Sequence, residues 1–120
     1  MNMPLPPPPD DEYFTIDIYR DSPEQHLGFQ VDLWKHAKGL LVIKFPITPK
    51  GSPMTPIEDW NEMCWKWFPR DELRVSDVIL QVNDEKARGA NDEKARGVMV
   101  EELKSAKDVL MVVLREGSCG

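Results

Sequence analysis

Only two cysteines, Cys64 and Cys119, and two histidines, His26 and His36, occur in the 120 residues. Two thiols so far apart make neither a disulfide framework nor a four-ligand zinc site, so a reduced, cytoplasmic protein without metal or cofactor is expected. The histidines lack the serine or cysteine partners of a triad and G-x-S-x-G is absent, so no enzyme is expected. Basic residues are outnumbered by acidic ones, 15 to 21. With a net charge of −6 the chain lacks the basic stripe of a general nucleic-acid binder and would be repelled by anionic lipid. The longest apolar runs, around Leu40 to Ile43 and Val109 to Leu114, are far too short to span a bilayer. The first residues, Met-Asn-Met-Pro, show no basic start followed by an apolar stretch, so no signal peptide is expected.

What the chain does have is proline, crowded into Pro-Leu-Pro-Pro-Pro-Pro at 4–9. Residues 1–11 are therefore expected to be a disordered, proline-rich tail, extended and without internal hydrogen bonds. It could dock on a proline-recognising module, or serve only as a stiff linker. A domain is expected over 12–116, with 117–120 fraying. At this length one domain can bury about two thirds of its unfolded surface.

Apolar alternation predicts strands at 13–19, 29–33, 40–45, 77–82 and 109–114. Phe14, Ile16 and Ile18 share one face of the first strand, and Phe29, Val31 and Leu33 one face of the second. A helix is predicted over 55–68: Thr55 caps it, Pro56 opens it and Glu58 completes a capping box, with Pro69 as its stop. Ile57, Trp60, Met63, Cys64, Trp67 and Phe68 fall on one face, expected to clamp against the sheet as a satellite core with Cys64 as a small buried hydrophobe. The competing expectation is an exposed partner surface. A second helix is predicted over 98–107, with Met99, Val100, Leu103 and Ala106 on one face.

Between the fourth strand and that helix, Asn-Asp-Glu-Lys-Ala-Arg-Gly occurs at 83–89 and again, unchanged, at 91–97. Two copies are too few for a solenoid. A single copy suffices to join strand to helix, so the second is expected to lengthen the connection.

The stretch Gln25-His26-Leu27-Gly28-Phe29-Gln30-Val31-Asp32-Leu33 sets a glycine between large apolar residues at the mouth of a strand, where glycine allows unusual backbone angles and close approach. Successive N–H groups in such a turn can converge on a carboxylate. With Leu73-Arg74-Val75-Ser76-Asp77-Val78-Ile79-Leu80-Gln81-Val82-Asn83-Asp84 some fifty residues later, it resembles the PDZ family, whose loop reads x-Φ-G-Φ and whose fourth strand reads roughly L-x-x-G-D-x-I-L-x-V-N-G. The resemblance covers roughly residues 12 to 115. Ser76 and Asp84 depart from it by standing where the family has glycine, and His26 where it most often does.

The resemblance implies a mainly β fold with two helices, a small partly open β-barrel or sandwich. It also implies a non-catalytic interaction module that takes a partner's C-terminal peptide as an added strand between the second strand and second helix. Carried over, Leu27, Gly28 and Phe29 would hold the peptide carboxylate, and Leu27, Phe29, Val31, Val100 and Leu103 would line the pocket, with Met99 as an alternative beside them. Arg96, seven residues before Leu103, would sit where the family reads a ligand side chain and would favour an acidic one. The alternatives are a domain acting through its tryptophan-rich helix, as a homodimer for example, or the regulatory fragment of a larger enzyme.

Overall fold

The computed structural model describes residues 11–47, 49–68, 70–88 and 92–116. The expectations for the proline-rich segment, Pro69 and the last four residues fall outside them.

Eight elements follow in order: β1 (Glu12–Tyr19), β2 (Gln30–Asp32), β3 (Leu40–Lys44), α1 (Pro56–Trp67), β4 (Val78–Val82), β5 (Glu85–Lys86), α2 (Glu93–Ser105) and β6 (Asp108–Arg115). The protein is mainly β with two helices. Its strands form one antiparallel sheet in the order β1-β6-β4-β3-β2, with β5 added on β4. The chain's two long ends pair along their full length, Glu12 opposite Arg115 and Tyr19 opposite Asp108. Where a partly open barrel or sandwich was expected, the described residues give a single open sheet. β2 is too short to close it: Asp32 Oδ1 accepts the N–H groups of Trp34 (2.8 Å) and Lys35 (3.0 Å), turning the chain out of the strand after three residues.

The core lies on one face of the sheet. Ile16, Leu40, Val42, Ile79, Val82, Met111 and Val113 are fully buried there, with Ile57 from α1 and Met99 from α2. α1 packs on β1, and α2 on β4 and β5. The capping box of α1 forms as its sequence requires: Thr55 Oγ1 accepts from Glu58 N (3.3 Å), and Glu58 Oε1 accepts from Thr55 N (3.2 Å).

The aromatic load of α1 is not the satellite core its spacing suggested. Ile57 and Cys64 are buried and Trp60 is half-buried, its Nε1 donating to the Asp71 carbonyl at 2.8 Å. Trp67 is 72% exposed and Phe68 59%, although both lie on the inward side by helical periodicity. Periodicity fixes a direction and not what stands opposite; no layer among the described residues covers these last two.

The described parts of the repeated heptapeptide, 83–88 in the first copy and 92–97 in the second, take two structures. In the first copy Asn83 (φ +52) and Asp84 make a turn, Glu85–Lys86 form β5, and Ala87 is buried. The Asn83 side chain locks this turn, accepting from Leu110 N (2.9 Å) and donating to Glu102 Oε2 (3.0 Å). In the second copy Asp92 caps α2 by accepting from Ala95 N (3.2 Å), and Glu93 onward is helical. The second helix thus begins five residues before the apolar pattern that marks it, and the second copy is its first turn instead of a longer connection. Both departures from the family glycine pattern are also resolved. Ser76 takes the glycine-like angle itself (φ +80), and the left-handed residue of the later turn is Asn83, not Asp84.

Candidate functional site

Gly28 sits at φ +106, a backbone region that favours glycine. Its surroundings give the requirement a second cause. A Cβ at Gly28 would lie 2.2 Å from Thr55 Oγ1 and 2.7 Å from Ile57 Cγ2, and Ile57 N donates to the Leu27 carbonyl at 3.0 Å. The close approach that glycine permits here is that of the chain's own helix cap. The loop is thereby pinned to the start of α1 at Leu27 and Gly28, and Leu27 is buried in the core.

The N–H groups of Leu27, Gly28 and Phe29 take no part in the loop and cap hydrogen bonds among the described residues. Three successive donors in a turn with one residue at positive φ are the elements of an anion-binding concavity. Immediately after them β2 forms an edge of the sheet, paired only to β3 among the described strands, so its other side is open to strand addition.

The expected pocket residues divide between the core and its margin. Leu27 and Leu103 belong to the buried cluster, and Phe29, Val31 and Val100 pack against it while only partly buried. Met99, the other candidate beside Val100, is fully buried under the sheet. Gln30, on the opposite side of β2, is exposed, as the alternation requires.

Arg96 lies inside the fold instead of facing a ligand. It is fully buried, and its guanidinium donates to the carbonyls of Leu33 (2.6 Å), Gly39 (2.7 Å) and Ala37 (2.8 Å). Its Cζ lies 5.7 Å from the centroid of the Trp34 ring. A side chain so committed cannot also read an acidic ligand residue, so that expectation is corrected: Arg96 fastens the start of α2 to the β2–β3 turn.

A second buried arginine escaped sequence reasoning. Arg20, 2% exposed, donates through Nε to the Ala106 carbonyl (2.6 Å), through Nη1 to Gln25 (3.2 Å) and through Nη2 to Glu102 (3.3 Å). It ties the glycine loop to the last turn of α2, where a cation also suits the helix dipole. Its signal in the sequence is faint: a lone basic residue at the end of an alternating strand. The two arginines therefore hold α2 at both ends, one against the glycine loop and one against the turn beyond β2. Between these fixings α2 rests on β4 and β5 rather than on β2.

Other candidate chemistry is thin. Burial pushes the Cys64 thiol up, helped by the charges of Asp71 and Glu72, so it stays protonated as a core residue would. His26 is exposed, and His36 Nε2 contacts Glu116 Oε1. No group of three metal-ligating side chains occurs among the described residues, and no described helix is long and apolar enough to cross a membrane. A scan against protein-family models matched none, and a search of curated proteins found no significant relative.

Proposed function

We propose that this chain is a PDZ-like, non-catalytic interaction module that binds the C-terminal peptide of a partner protein along β2, facing α2. The observation that carries this reading is the run of N–H groups at Leu27, Gly28 and Phe29 that no loop or cap bond among the described residues uses, at the head of an open edge strand and beside a half-accessible apolar cluster. A peptide carboxylate would accept from these donors, and its last side chain would enter among Phe29, Val31, Val100 and Leu103. The residues before it would add to β2 as a strand. A terminal apolar side chain fits this lining, since a charge placed there would lose its water without a partner.

Titration with a free C-terminal peptide ending in an apolar residue, and with its amide, tests the reading. The acid should bind with micromolar strength, about −7 to −8 kcal/mol. The amide should bind roughly ten- to hundredfold more weakly, because charge-assisted hydrogen bonds are lost. Amide shifts should centre on Gly28, Phe29 and Val31. Equal affinity for acid and amide sinks the carboxylate loop. Shifts confined to α1 would instead favour the second reading, a partner surface on that helix, which the exposure of Trp65, Trp67 and Phe68 supports.

A further inference from the structure

The exposed aromatic end of α1 lies close to where the described chain begins. Glu12 is paired with Arg115 in the β1–β6 ladder, and the Arg115 guanidinium lies over the Phe14 ring, 4.8 Å from its centroid. The same guanidinium donates to the carbonyls of Arg70 (2.9 Å) and Glu72 (2.6 Å). Glu72 in turn accepts from the indole N–H of Trp65. One arginine thus separates the entry to β1 from the segment that touches Trp65. Trp65 is 68% exposed, and Phe68, three residues on, is its neighbour on the helix surface.

Immediately upstream of that entry stands Pro-Leu-Pro-Pro-Pro-Pro at 4–9, followed by Asp10, Asp11 and Glu12. Three residues span at most about 10 Å, enough to carry Pro9 from Glu12 past Arg115, and six residues of polyproline II cover about 19 Å, the length of several helical turns. Charge agrees with this path. The acidic run would pass exposed Arg70 and Arg74, and Glu12 already supports the charge of Arg115.

We propose that residues 4–9 dock on Trp65 and Phe68 of the same chain, as a polyproline II strand lying on its own aromatic platform. Proline rings pack well on aromatic faces, and a polyproline segment gives up little conformational freedom on docking. A short tether also raises the local concentration of the segment to the millimolar range, so a weak contact suffices. The docked segment would cover an apolar surface that is otherwise open, and it uses a different face from the β2 edge.

The test is ¹⁵N–¹H spectroscopy of the full chain and of a variant carrying Pro6→Ser, Pro7→Ser, Pro8→Ser and Pro9→Ser, with Trp65→Phe used to assign the Trp65 indole signal. The Trp65 indole and Phe68 amide signals should move in the serine variant while the Trp34 indole stays in place. A synthetic peptide of residues 1–11 added to that variant should move them back. Coincident Trp65 and Phe68 signals in the two chains would overturn the proposal. So would shifts that grow with protein concentration, because they would assign the proline segment to a second copy.

Discussion

Arg88 and Arg96 hold the same place in two identical heptapeptides, yet Arg88 is exposed and Arg96 is fully buried on three carbonyl oxygens. The two copies are also tied together, since Arg88 N donates to the Asp92 carboxylate that caps α2. Seven residues of local sequence leave the choice between turn-and-strand and helix open. What decides is β4 running directly into the first copy and the apolar face of α2 continuing from the second.

Arginine-to-alanine variants at the two positions should separate sharply. Arg96→Ala leaves three carbonyls of the β2–β3 turn without their donor and should cost about 3 kcal/mol or more. Arg88→Ala should stay within about 0.5 kcal/mol of the parent, as surface changes usually do. Denaturant melts of both proteins check this, and equal midpoints would contradict the assignment of the copies.

Deleting residues 83–90 should do more than shorten a loop. Loop closure alone would change by less than about 1 kcal/mol. The one remaining copy cannot be both the Asn83 turn with β5 and the Asp92-capped first turn of α2. Either the strand and buried Ala87 or the Arg96 fastening is lost, so the melting midpoint should fall well beyond the loop term. A deletion variant as stable as the parent would show that one copy is dispensable.

Trp60 and Trp67 should respond differently to truncation. Trp60→Ala removes a half-buried ring and its hydrogen bond to Asp71, and should cost roughly 2–3 kcal/mol, below the 3–5 of a fully buried aromatic. Trp67→Ala should be nearly neutral for the isolated chain. Thermal melts of the two variants decide the matter.

Two aspartates should pull stability in opposite directions with pH. Asp17 is exposed, yet partial desolvation on the strand raises its carboxyl above the ordinary 3.8, and hydrogen bonding and charge from Asp108 on the neighbouring strand raise it further. A raised carboxyl binds its proton more tightly when folded, so its contribution is present in acid and lost as pH rises through the folded value. Asp17→Asn should therefore stabilise the protein at neutral pH, with the gain vanishing below about pH 4. Asp92 is lowered by the backbone N–H groups of Arg88 and Ala95. Its contribution is present above the unfolded value and lost as pH falls through the folded one, so Asp92→Asn should bring no gain at neutral pH. Urea midpoints of the three proteins across pH 3 to 7 would test both signs.

The local features were legible in the sequence. The capping box at Thr55 and Glu58, the alternation through Ile16 and Ile18, and the run from Val109 to Leu114 all depend on residues a few positions apart, and their elements form within a residue or two of the expected bounds. The start of α2 was hidden because Glu93 and Lys94 repeat the pair Glu85–Lys86, which forms β5 in the first copy. Arg96 was misplaced because its burial depends on carbonyls about sixty residues away, which no local pattern encodes. Gly28 was located correctly, but its crowding against Thr55 comes from the packing of α1. The apolar faces of β2 and α2 were readable from periodicity, while the arginines that fasten the two ends of α2 were not.

The identity of the two heptapeptides has a consequence for how the chain can vary. They are offset by eight residues, so excising any eight consecutive residues that start anywhere from 83 to 90 leaves one and the same product. Eight separate deletions thus converge on a single shorter protein, and none can discard the strand-forming copy while sparing the helix-forming one. A genetic screen of this region should recover that product as one recurrent class. Loss of either copy alone would be visible only through point substitutions, of which Asn83 and Arg96 are the separable pair.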